Sequence, residues 1–263
     1  MGILNVTPDS FSDGGAFMDP ARAVDYGHRM VAEGADIIDV GGESTRPGAA
    51  GVAAEEEIRR IVPVVEALAR SVPVPVSVDT SKPEVMRAAA AAGAGMINDV
   101  MALRAPGALE AVAGLGLAAC LMHMQGEPRT MQQNPRYQDV TREVYTFLAG
   151  RIDACVRAGV PRDRLVADPG FGFGKTLEHN LELLRRLAEF RALGVPVLAG
   201  LSRKSMIGAM LGLPTGERLH ASVALALWAV QKGAAIVRVH DVRATHDAVR
   251  MIEAVAGQAN RLQ

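Results

Sequence analysis

The stretch Val166-Ala167-Asp168-Pro169-Gly170-Phe171-Gly172-Phe173-Gly174-Lys175-Thr176 is an apolar run that ends in a carboxylate and continues as a loop of alternating glycines. A phosphate-binding P-loop needs four residues between its first glycine and the Gly-Lys pair, but Pro169 stands where that glycine should be. The GxGxG spacing also differs from the dinucleotide-binding fingerprint. The stretch therefore predicts a buried strand that ends in an aspartate, followed by a pliable backbone against which a flat ligand can lie.

The composition is that of an ordinary globular protein. The chain has 263 residues, of which 49% are hydrophobic and 22% are charged, so we predict one domain, residues 1–263, with a sizeable core. A formal net charge of −1 gives no general attraction for nucleic acid or for an acidic membrane. Cys120 and Cys155 lack metal-ligand spacing and are predicted to be buried free thiols in a reducing compartment.

Signals for export or membrane insertion are not evident in the sequence. The N-terminus has neither a basic region nor a long apolar segment. Apolar runs stay well short of the ~18 residues that a membrane helix needs. We therefore predict a cytoplasmic protein with no membrane or nucleic-acid partner.

Short apolar runs alternate with longer helical patterns along the whole chain. Strands are predicted at 2–6, 36–40, 75–78, 96–98, 117–122, 165–167, 196–201 and 236–239. Apolar residues at three- and four-residue spacing predict helices near 21–34, 55–70, 83–93, 106–114, 140–159, 178–193, 217–233 and 244–257. Eight βα units in about 250 residues are typical of a (β/α)8 TIM barrel, an α/β fold. A doubly wound open sheet is the structural alternative.

Residues at the ends of several helices support these bounds. Asp19-Pro20 and Ser81-Lys82-Pro83 are typical of helix starts, in which a capping side chain lies near a proline of the first turn. Glycines typical of helix ends stand at Gly34, Gly93, Gly159 and Gly233.

A barrel with an active site needs polar residues where each strand ends, and the sequence has them. In strand order they are Asn5 with 7–10, 42–46, 79–81, Asn98-Asp99, His123, Asp168, 202–204, and Arg238 with His240. The residues that enter the strands are mostly Gly, Ala, Pro and Val. We therefore predict a site at the C-terminal ends of the strands.

Two stretches, residues 1–15 (MGILNVTPDSFSDGG) and 42–48 (GESTRPG), resemble the signatures of the dihydropteroate synthase family. Further matches follow in family order at 78–80, 97–100, 168–175, 202–205 and 238–241. The resemblance implies a pterin-binding TIM barrel that joins 6-hydroxymethyl-7,8-dihydropterin pyrophosphate to p-aminobenzoate and releases pyrophosphate. This reaction is a step of folate biosynthesis.

The resemblance also implies properties of the whole molecule. Family members usually carry residues ahead of the first strand that form a hairpin over the barrel floor. Here the sequence begins within that strand, so the hairpin is apparently absent, and unless the sequence starts late we expect the C-terminal helix to cover more of the floor. Members are commonly homodimers, for which residues 221–230 offer a candidate face, although this helix can equally pack on the barrel. Sulfonamides are expected as competitive inhibitors.

A pterin is flat and edged with hydrogen-bond donors and acceptors, which suits a buried carboxylate. By resemblance, Asp168 accepts hydrogen bonds from the ring N3–H and the exocyclic amine. Helix capping is the ordinary alternative for such an aspartate, but Pro169 and the glycines leave no helix there to cap. The same resemblance assigns pterin contacts to Asp79, Asn98, Met122, Gly200 and Lys204. A helix cap for Asp79, a turn role for Asn98 and a solvated side chain for Lys204 are the alternatives.

The predicted catalytic residues are Asp79, Lys204, Arg238 and His240. Positive charge develops on the exocyclic methylene as pyrophosphate leaves, and the fixed Asp79 carboxylate would stabilise it. No residue is an obvious nucleophile or essential base, and the aryl amine is already nucleophilic. We therefore predict a dissociative, SN1-like substitution.

Pyrophosphate needs local cations in a nearly neutral protein. Arg238 and His240 are two residues apart, so they face the same way if strand geometry persists. With Asn5 and Thr45 they form the predicted pyrophosphate site, although a core role for His240 is the alternative. Mg²⁺ keeps phosphate oxygens and water as ligands, so the Asn5 amide oxygen alone is its predicted protein ligand.

The resemblance assigns p-aminobenzoate binding to Phe11, Thr45, Arg46, Pro47, Phe173, Ser202 and Arg203. For Phe11 and Phe173, packing within the loops is the alternative. The loops 7–19 and 41–54 are long and polar, and we predict that they close over the substrates and exclude water. Lys175 is predicted to be an ordinary exposed lysine.

Three other functions share some of these residues. A methyltetrahydrofolate methyltransferase that serves a corrinoid protein would share the pterin contacts, but its reaction has no pyrophosphate for Arg238 and His240. A metal-dependent barrel hydrolase would require His-x-His after the first strand, where Asn5-Val6-Thr7 stands. A pterin- or sulfonamide-binding protein without activity is the third alternative.

Overall fold

A computed structural model of the protein describes residues 1–7, 19–44, 51–127 and 130–257. Eight short strands alternate with helices within these ranges. The strands are β1 Gly2–Asn5, β2 Ile38–Gly41, β3 Val76–Asp79, β4 Met96–Asp99, β5 Ala118–Met122, β6 Leu165–Asp168, β7 Leu198–Ala199 and β8 Ile236–Val237. The α-helices are α1 Pro20–Ala32, α2 Ala54–Ser71, α3 Pro83–Ala91, α4 Ala108–Leu115, α5 Val140–Arg157, α6 Leu177–Arg185, α7 Ser205–Leu211, α8 Leu219–Gln231 and α9 Val242–Val255.

Parallel pairing joins the strands in sequence order. β1 to β6 form one sheet and β7 pairs with β8. The bridge Ala167↔Val197 links β6 to the start of the seventh strand, and Gly2↔Val239 links β1 to the end of the eighth. The ring of strands is therefore closed, which confirms the TIM barrel over the open sheet.

Most of the predicted helix ends are confirmed. The Asp19 carboxylate accepts a hydrogen bond from the Ala21 amide at 3.0 Å, as a capping side chain does. The glycines predicted at helix ends lie directly after α1, α3, α5 and α8, with φ from 96° to 100°. The cap predicted before α3 is wrong, because Lys82 occupies the N-cap without a side-chain bond and the Ser81 hydroxyl donates to Asp99 instead.

Two helical regions differ from the prediction. The pattern at 178–193 is two elements, α6 and a 3-10 helix at Leu187–Leu193. α7 was not predicted, because a segment of seven residues that includes Gly208 is too short to display helical periodicity.

Both cysteines are buried and free, as predicted.

Side chains of the strands alternate between two apolar regions. Those that point outward pack against the helices, as Leu4 and Val78 do in the main core. Those that point inward fill the lower barrel with a smaller cluster built on Met1, Met96, Cys120, Val166 and Leu198. Polar residues line the barrel above this cluster, at the C-terminal ends of the strands. None of the described helices combines the length and hydropathy required to cross a bilayer.

Candidate active site

The register of the strands brings the predicted polar residues to one level of the barrel mouth. Asn5 pairs with Gly41, Gly41 pairs with Asp79, and Asp79 pairs with Asn98. On the other side of the barrel, Met122 pairs with Asp168. Because side chains along a strand alternate, these residues all point into the barrel.

Arg238 lies between two carboxylates in the interior of the barrel. Its Nε donates to Asp39 Oδ2 at 2.6 Å, and its Nη2 donates to Asp79 Oδ2 at 2.9 Å. Asp39 is fully buried and also accepts a bond from Asn98 Nδ2 at 3.0 Å. Asp39 was missed by the sequence prediction, although a carboxylate within an otherwise apolar strand was a signal for it.

Burial raises the pKa of the Asp79 carboxyl to about 7, against the opposing attraction of Arg238. The negative charges of Asp39, Asp99 and Glu57 raise this pKa further. A carboxylate that keeps its charge at this place does so because the arginine touches it. Asp79 does not cap α3, since Lys82 is the N-cap residue there.

Asp168 is buried at the end of β6 and accepts a hydrogen bond from the Gly170 amide at 2.7 Å. It caps no helix, because Thr176 caps α6 eight residues later. Burial raises the pKa of its carboxyl, and the nearby Lys204 and Lys175 charges oppose that rise. Asp168 is thus a buried acceptor in the barrel, as a pterin anchor would be.

Lys204 lies against the glycine loop and not in bulk solvent. Its Nζ is 4.2 Å from the centroid of the Phe173 ring, a cation–π contact. A Cβ on Gly172 would stand 3.3 Å from the Lys204 Cδ, so the absence of a side chain at Gly172 leaves room for Lys204. Burial lowers the pKa of the lysine to about 8, while Asp168 opposes the shift.

The remaining pterin positions differ in surroundings. Asn98 is buried within β4 and is not a turn residue. Met122 packs in an apolar cluster with Val100, Met124 and Met131, and the half-buried Phe173 lies against it. A Cβ built on Gly200 would meet no atom within 4 Å among the described residues, so this strand leaves open space above it.

Ser202 and His240 are bonded to each other. The Ser202 hydroxyl accepts from the His240 amide at 3.2 Å and lies 3.0 Å from His240 Nδ1. Burial, and then the charge of Arg238, lower the pKa of His240 to about 4, so the imidazole is neutral at pH 7. In the tautomer with Nε2–H, Nδ1 accepts from the serine hydroxyl and Nε2–H is left to donate. Val239 pairs with β1, so the extended geometry continues and directs Arg238 and His240 to one side.

Arg203 forms a two-pronged ion pair with Asp241. Its Nε and Nη2 donate to the two carboxylate oxygens at 3.1 and 2.5 Å. The Arg203 backbone is left-handed, with φ 57°, and its amide donates to the Ser222 hydroxyl at 2.9 Å. Arg218 donates to the Arg203 carbonyl at 3.1 Å. The start of α8 therefore holds the 202–204 turn in its strained conformation.

Lys175 corrects the prediction of an exposed side chain, because only 3% of its surface is exposed. Its Nζ lies 2.9 Å from the carbonyl oxygens of Gly170 and Phe173, and 3.0 Å from His123 Nδ1. Local sequence could not reveal this burial, because the loop buries the amine only by packing on His123, which follows β5 and is 52 residues away.

Four of the predicted residues lie outside the described part of the chain. They are Phe11, Thr45, Arg46 and Pro47. Most of the two predicted lids, 7–19 and 41–54, lies outside it as well.

Comparison with known proteins agrees with this geometry. A family model described as pterin binding enzyme matches residues 1–240. The dihydropteroate synthase of Escherichia coli K12 is 56% identical over 254 residues, which cover 97% of this chain and 90% of that protein. The dihydropteroate synthase of Haemophilus influenzae is 54% identical over 256 residues, which cover 97% and 93%.

Solved structures give the same result. The Yersinia pestis dihydropteroate synthase in a sulfonamide drug complex superposes with a TM-score of 0.94 at 52% identity, covering 97% of this chain and 93% of that one. The Xanthomonas albilineans dihydropteroate synthase in complex with 7,8-dihydropteroate has a TM-score of 0.89 at 53% identity, with coverage of 97% and 92%. The chain therefore belongs to the pterin-binding enzymes and, among them, to the dihydropteroate synthases, which are transferases of folate biosynthesis.

Proposed function

We propose that the barrel mouth joins 6-hydroxymethyl-7,8-dihydropterin pyrophosphate to p-aminobenzoate by a dissociative substitution. The observation that carries this proposal is the contact of Arg238 with Asp79, which unites a cation for the leaving group with a carboxylate for the developing positive charge. The relatives are named dihydropteroate synthase, and the structure of the Xanthomonas albilineans protein is a complex with the product, 7,8-dihydropteroate.

The pterin lies between the buried carboxylate and the lysine. Asp168 accepts from the ring N3–H and the exocyclic amine, while Lys204 approaches the carbonyl side of the ring. Asn98 adds polar contacts, and its amide is oriented by the bond to Asp39. Met122 supplies an apolar surface and Gly200 leaves room for the ring.

Asp79 stabilises the transition state. As the bond to pyrophosphate breaks, positive charge spreads from the methylene into the ring, and a fixed carboxylate binds this state more strongly than the neutral ground state. The aryl amine then attacks without an essential base. The enzyme supplies positioning and ionisation of the leaving group, which together account for large rate accelerations.

Arg238 and His240 bind the pyrophosphate, with Thr45 as a further ligand. The two described bonds of Arg238 to carboxylates use Nε and Nη2, so its Nη1 hydrogens remain to bind a phosphate in this proposal. His240 donates through Nε2–H as the neutral imidazole.

The residues at the end of β1 fit a single Mg²⁺ contact. Within the described ranges, no three His, Cys, Asp or Glu side chains converge as a metal cluster. Asn5 Oδ1 lies 3.5 Å from the place of a Cβ on Gly41, so the missing side chain leaves space beside the amide oxygen. One neutral oxygen suits an ion that keeps water and phosphate as its other ligands. Bound there through Asn5, Mg²⁺ would neutralise charge on the pyrophosphate.

p-Aminobenzoate lies on the Phe173 side of the mouth, near Ser202 and Arg203. Phe11, Thr45, Arg46 and Pro47 complete this side in the proposal. Sulfonamides compete for the same place, and the Yersinia pestis relative forms a complex with such a drug.

The decisive experiment measures pyrophosphate release with and without p-aminobenzoate. Release that requires p-aminobenzoate and yields dihydropteroate supports the proposal. A hydrolase releases pyrophosphate without the amine, whereas a methyltransferase or a simple binding protein releases none.

We also propose a cytoplasmic homodimer. Large apolar side chains are exposed on the consecutive helices α7 and α8, with Trp228 of α8 44% exposed and Met210 and Leu211 of α7 56% exposed. Large exposed apolar side chains can supply a protein contact. Light scattering after gel filtration tests the dimer, and Trp228→Glu should shift it to monomer; an unchanged dimer would exclude this face.

A further inference from the structure

Lys175 is a buried lysine without a carboxylate partner in any described ion pair. Its Nζ instead donates to the carbonyl oxygens of Gly170 and Phe173 at 2.9 Å each and to the carbonyl oxygen of His123 at 3.3 Å. The fourth contact is His123 Nδ1 at 3.0 Å. Burial keeps His123 neutral by lowering its pKa, and an ammonium can only donate, so its three hydrogens are shared among these four acceptors.

A buried amine of this kind is costly, and an alkyl side chain would fill the same volume without that cost. What the alkyl chain cannot do is donate to the Phe173 and His123 carbonyl oxygens; the Gly170 oxygen also accepts from the Phe173 amide at 3.1 Å. An unsatisfied buried carbonyl costs free energy of its own, so the lysine holds the loop in a conformation that is otherwise unfavourable. At 3% exposure it cannot reach a substrate, which makes it a positioning residue.

The glycine loop has no ladder of backbone bonds to fix it. Gly170, Gly172 and Gly174 all have left-handed φ, at 71°, 79° and 59°. The loop is pressed against the chain after β5, since a Cβ on Gly170 would stand 1.9 Å from the His123 carbonyl oxygen. Side chains bond two further carbonyls of the loop, with the Tyr137 hydroxyl donating to Gly174 O at 2.8 Å and the Gln132 amide donating to Gly172 O at 2.5 Å. Among these side chains, Lys175 is the one that bonds both to the loop, at Gly170 and Phe173, and to His123 directly after β5.

The bond from Lys175 to the Phe173 carbonyl oxygen connects the buried lysine to the site. The same residue carries the ring on which Lys204 lies, 4.2 Å from its centroid. We propose that Lys175 positions Phe173 for p-aminobenzoate, by fixing the loop so that the Phe173 ring stands against Lys204 at the mouth. This inference rests on the proposed function, in which Phe173 bounds the p-aminobenzoate side.

The test is Lys175→Met, which keeps a long unbranched side chain and removes its donors. We expect the KM for p-aminobenzoate to rise about tenfold or more, a factor typical of lost preorganisation. The KM for the pterin pyrophosphate and kcat should each stay within about threefold, because β6 fixes Asp168 and Lys204 remains as the stronger positive charge acting on it. Equal increases in both KM values, or no increase for p-aminobenzoate, would overturn the proposal.

A double-mutant cycle with Phe173→Ala separates positioning from general loosening. If Lys175 acts through Phe173, the effect of Lys175→Met on the KM for p-aminobenzoate should largely vanish in the Phe173→Ala background. Additive effects would show that Lys175 acts elsewhere. Leu68→Ala, a fully buried change between α1 and α2, is the stability control and should leave both KM values unchanged.

Lys175→Gln covers the case in which the methionine variant does not fold. Its amide has two hydrogens for the carbonyl groups, so we expect an intermediate KM for p-aminobenzoate. A folded glutamine variant in which both KM values rise equally would contradict the proposal. Failure of the proposed function is a different result, since the wild-type protein would then form no dihydropteroate at all.

Discussion

Arg238 Nη2 donates to Asp79 Oδ2 at 2.9 Å, across 159 residues of sequence, and this bond joins the proposed leaving-group site to the carboxylate proposed to stabilise the developing positive charge. The same guanidinium holds Asp39, so one cation serves two buried anions. Buried charges are stable only when they are paired and hydrogen-bonded. The ionisation of Asp79 therefore depends on the whole trio and not on its own solvent exposure.

Asp79→Asn should reduce kcat far more than pterin affinity. The amide keeps a hydrogen-bonding group but loses the charge that stabilises the developing cation, and such electrostatic groups contribute about 10²- to 10³-fold to turnover. Single-turnover rates and calorimetric titration with the pterin pyrophosphate measure the two quantities. Equal losses in both would assign Asp79 to binding only.

Asp39→Asn should move the acid limb of the kcat–pH profile to lower pH. In the proposed mechanism turnover requires ionised Asp79, whose pKa is raised to about 7, so wild-type kcat should fall as the pH drops through that value. Removing the Asp39 charge lowers the Asp79 pKa, because the repulsion between the two carboxylates is lost and Arg238 then pairs with Asp79 alone. Ser77→Ala, at the paired position on β3, removes no charge and should leave the limb in place. An unshifted limb in Asp39→Asn would contradict the coupling.

Arg238→Gln should destabilise the fold by about 3–5 kcal/mol at neutral pH, because it leaves buried carboxylates without a partner. The folded pKa of Asp79 is already raised above its ordinary value and should rise further in this variant. The folded state then holds a proton that the unfolded state releases, so stability should fall as the pH rises from about 4 towards the raised pKa.

Urea unfolding at pH 5 and pH 8 measures the effect of Arg238→Gln. Arg186→Gln is a control, since Arg186 pairs with Glu189 on the surface and the side chains are 33% and 51% exposed. This control should change stability little at either pH. A variant at position 238 that is equally stable at both values would refute the buried-charge explanation.

Gly170→Ala should be more destabilising than Gly212→Ala. Both glycines have nearly the same left-handed φ, 71° and 70°, so the backbone cost of about 1–2 kcal/mol is shared. Only at Gly170 would the new Cβ collide with a backbone atom, the His123 carbonyl oxygen at 1.9 Å. The difference between the two free energies of unfolding reports the close approach of the loop to β5. Equal values would mean that the loop can move away.

Sequence periodicity was enough for the barrel and for much of its site. The alternation of strands and helices, with polar residues at the strand ends, predicted where Asp79, Asn98, Asp168 and Arg238 would lie. Prediction succeeded there because the direction of a side chain on a strand follows from local geometry. It failed for α7, which is too short for its period to be seen, and for Ser81, whose hydroxyl bonds to Asp99 and not to the helix start.

The sequence alone determined the fold class, the level of the site and the kinds of side chain that line it, because these depend on patterns within a few residues. Only the tertiary structure decided which charges meet. Barrel closure brings Arg238, directly after the last strand, onto Asp39 of the second, and packing of the glycine loop on the end of β5 buries Lys175. These contacts follow from how distant elements pack, which no local pattern records, and they set the pKa values and the loop geometry on which the chemistry depends.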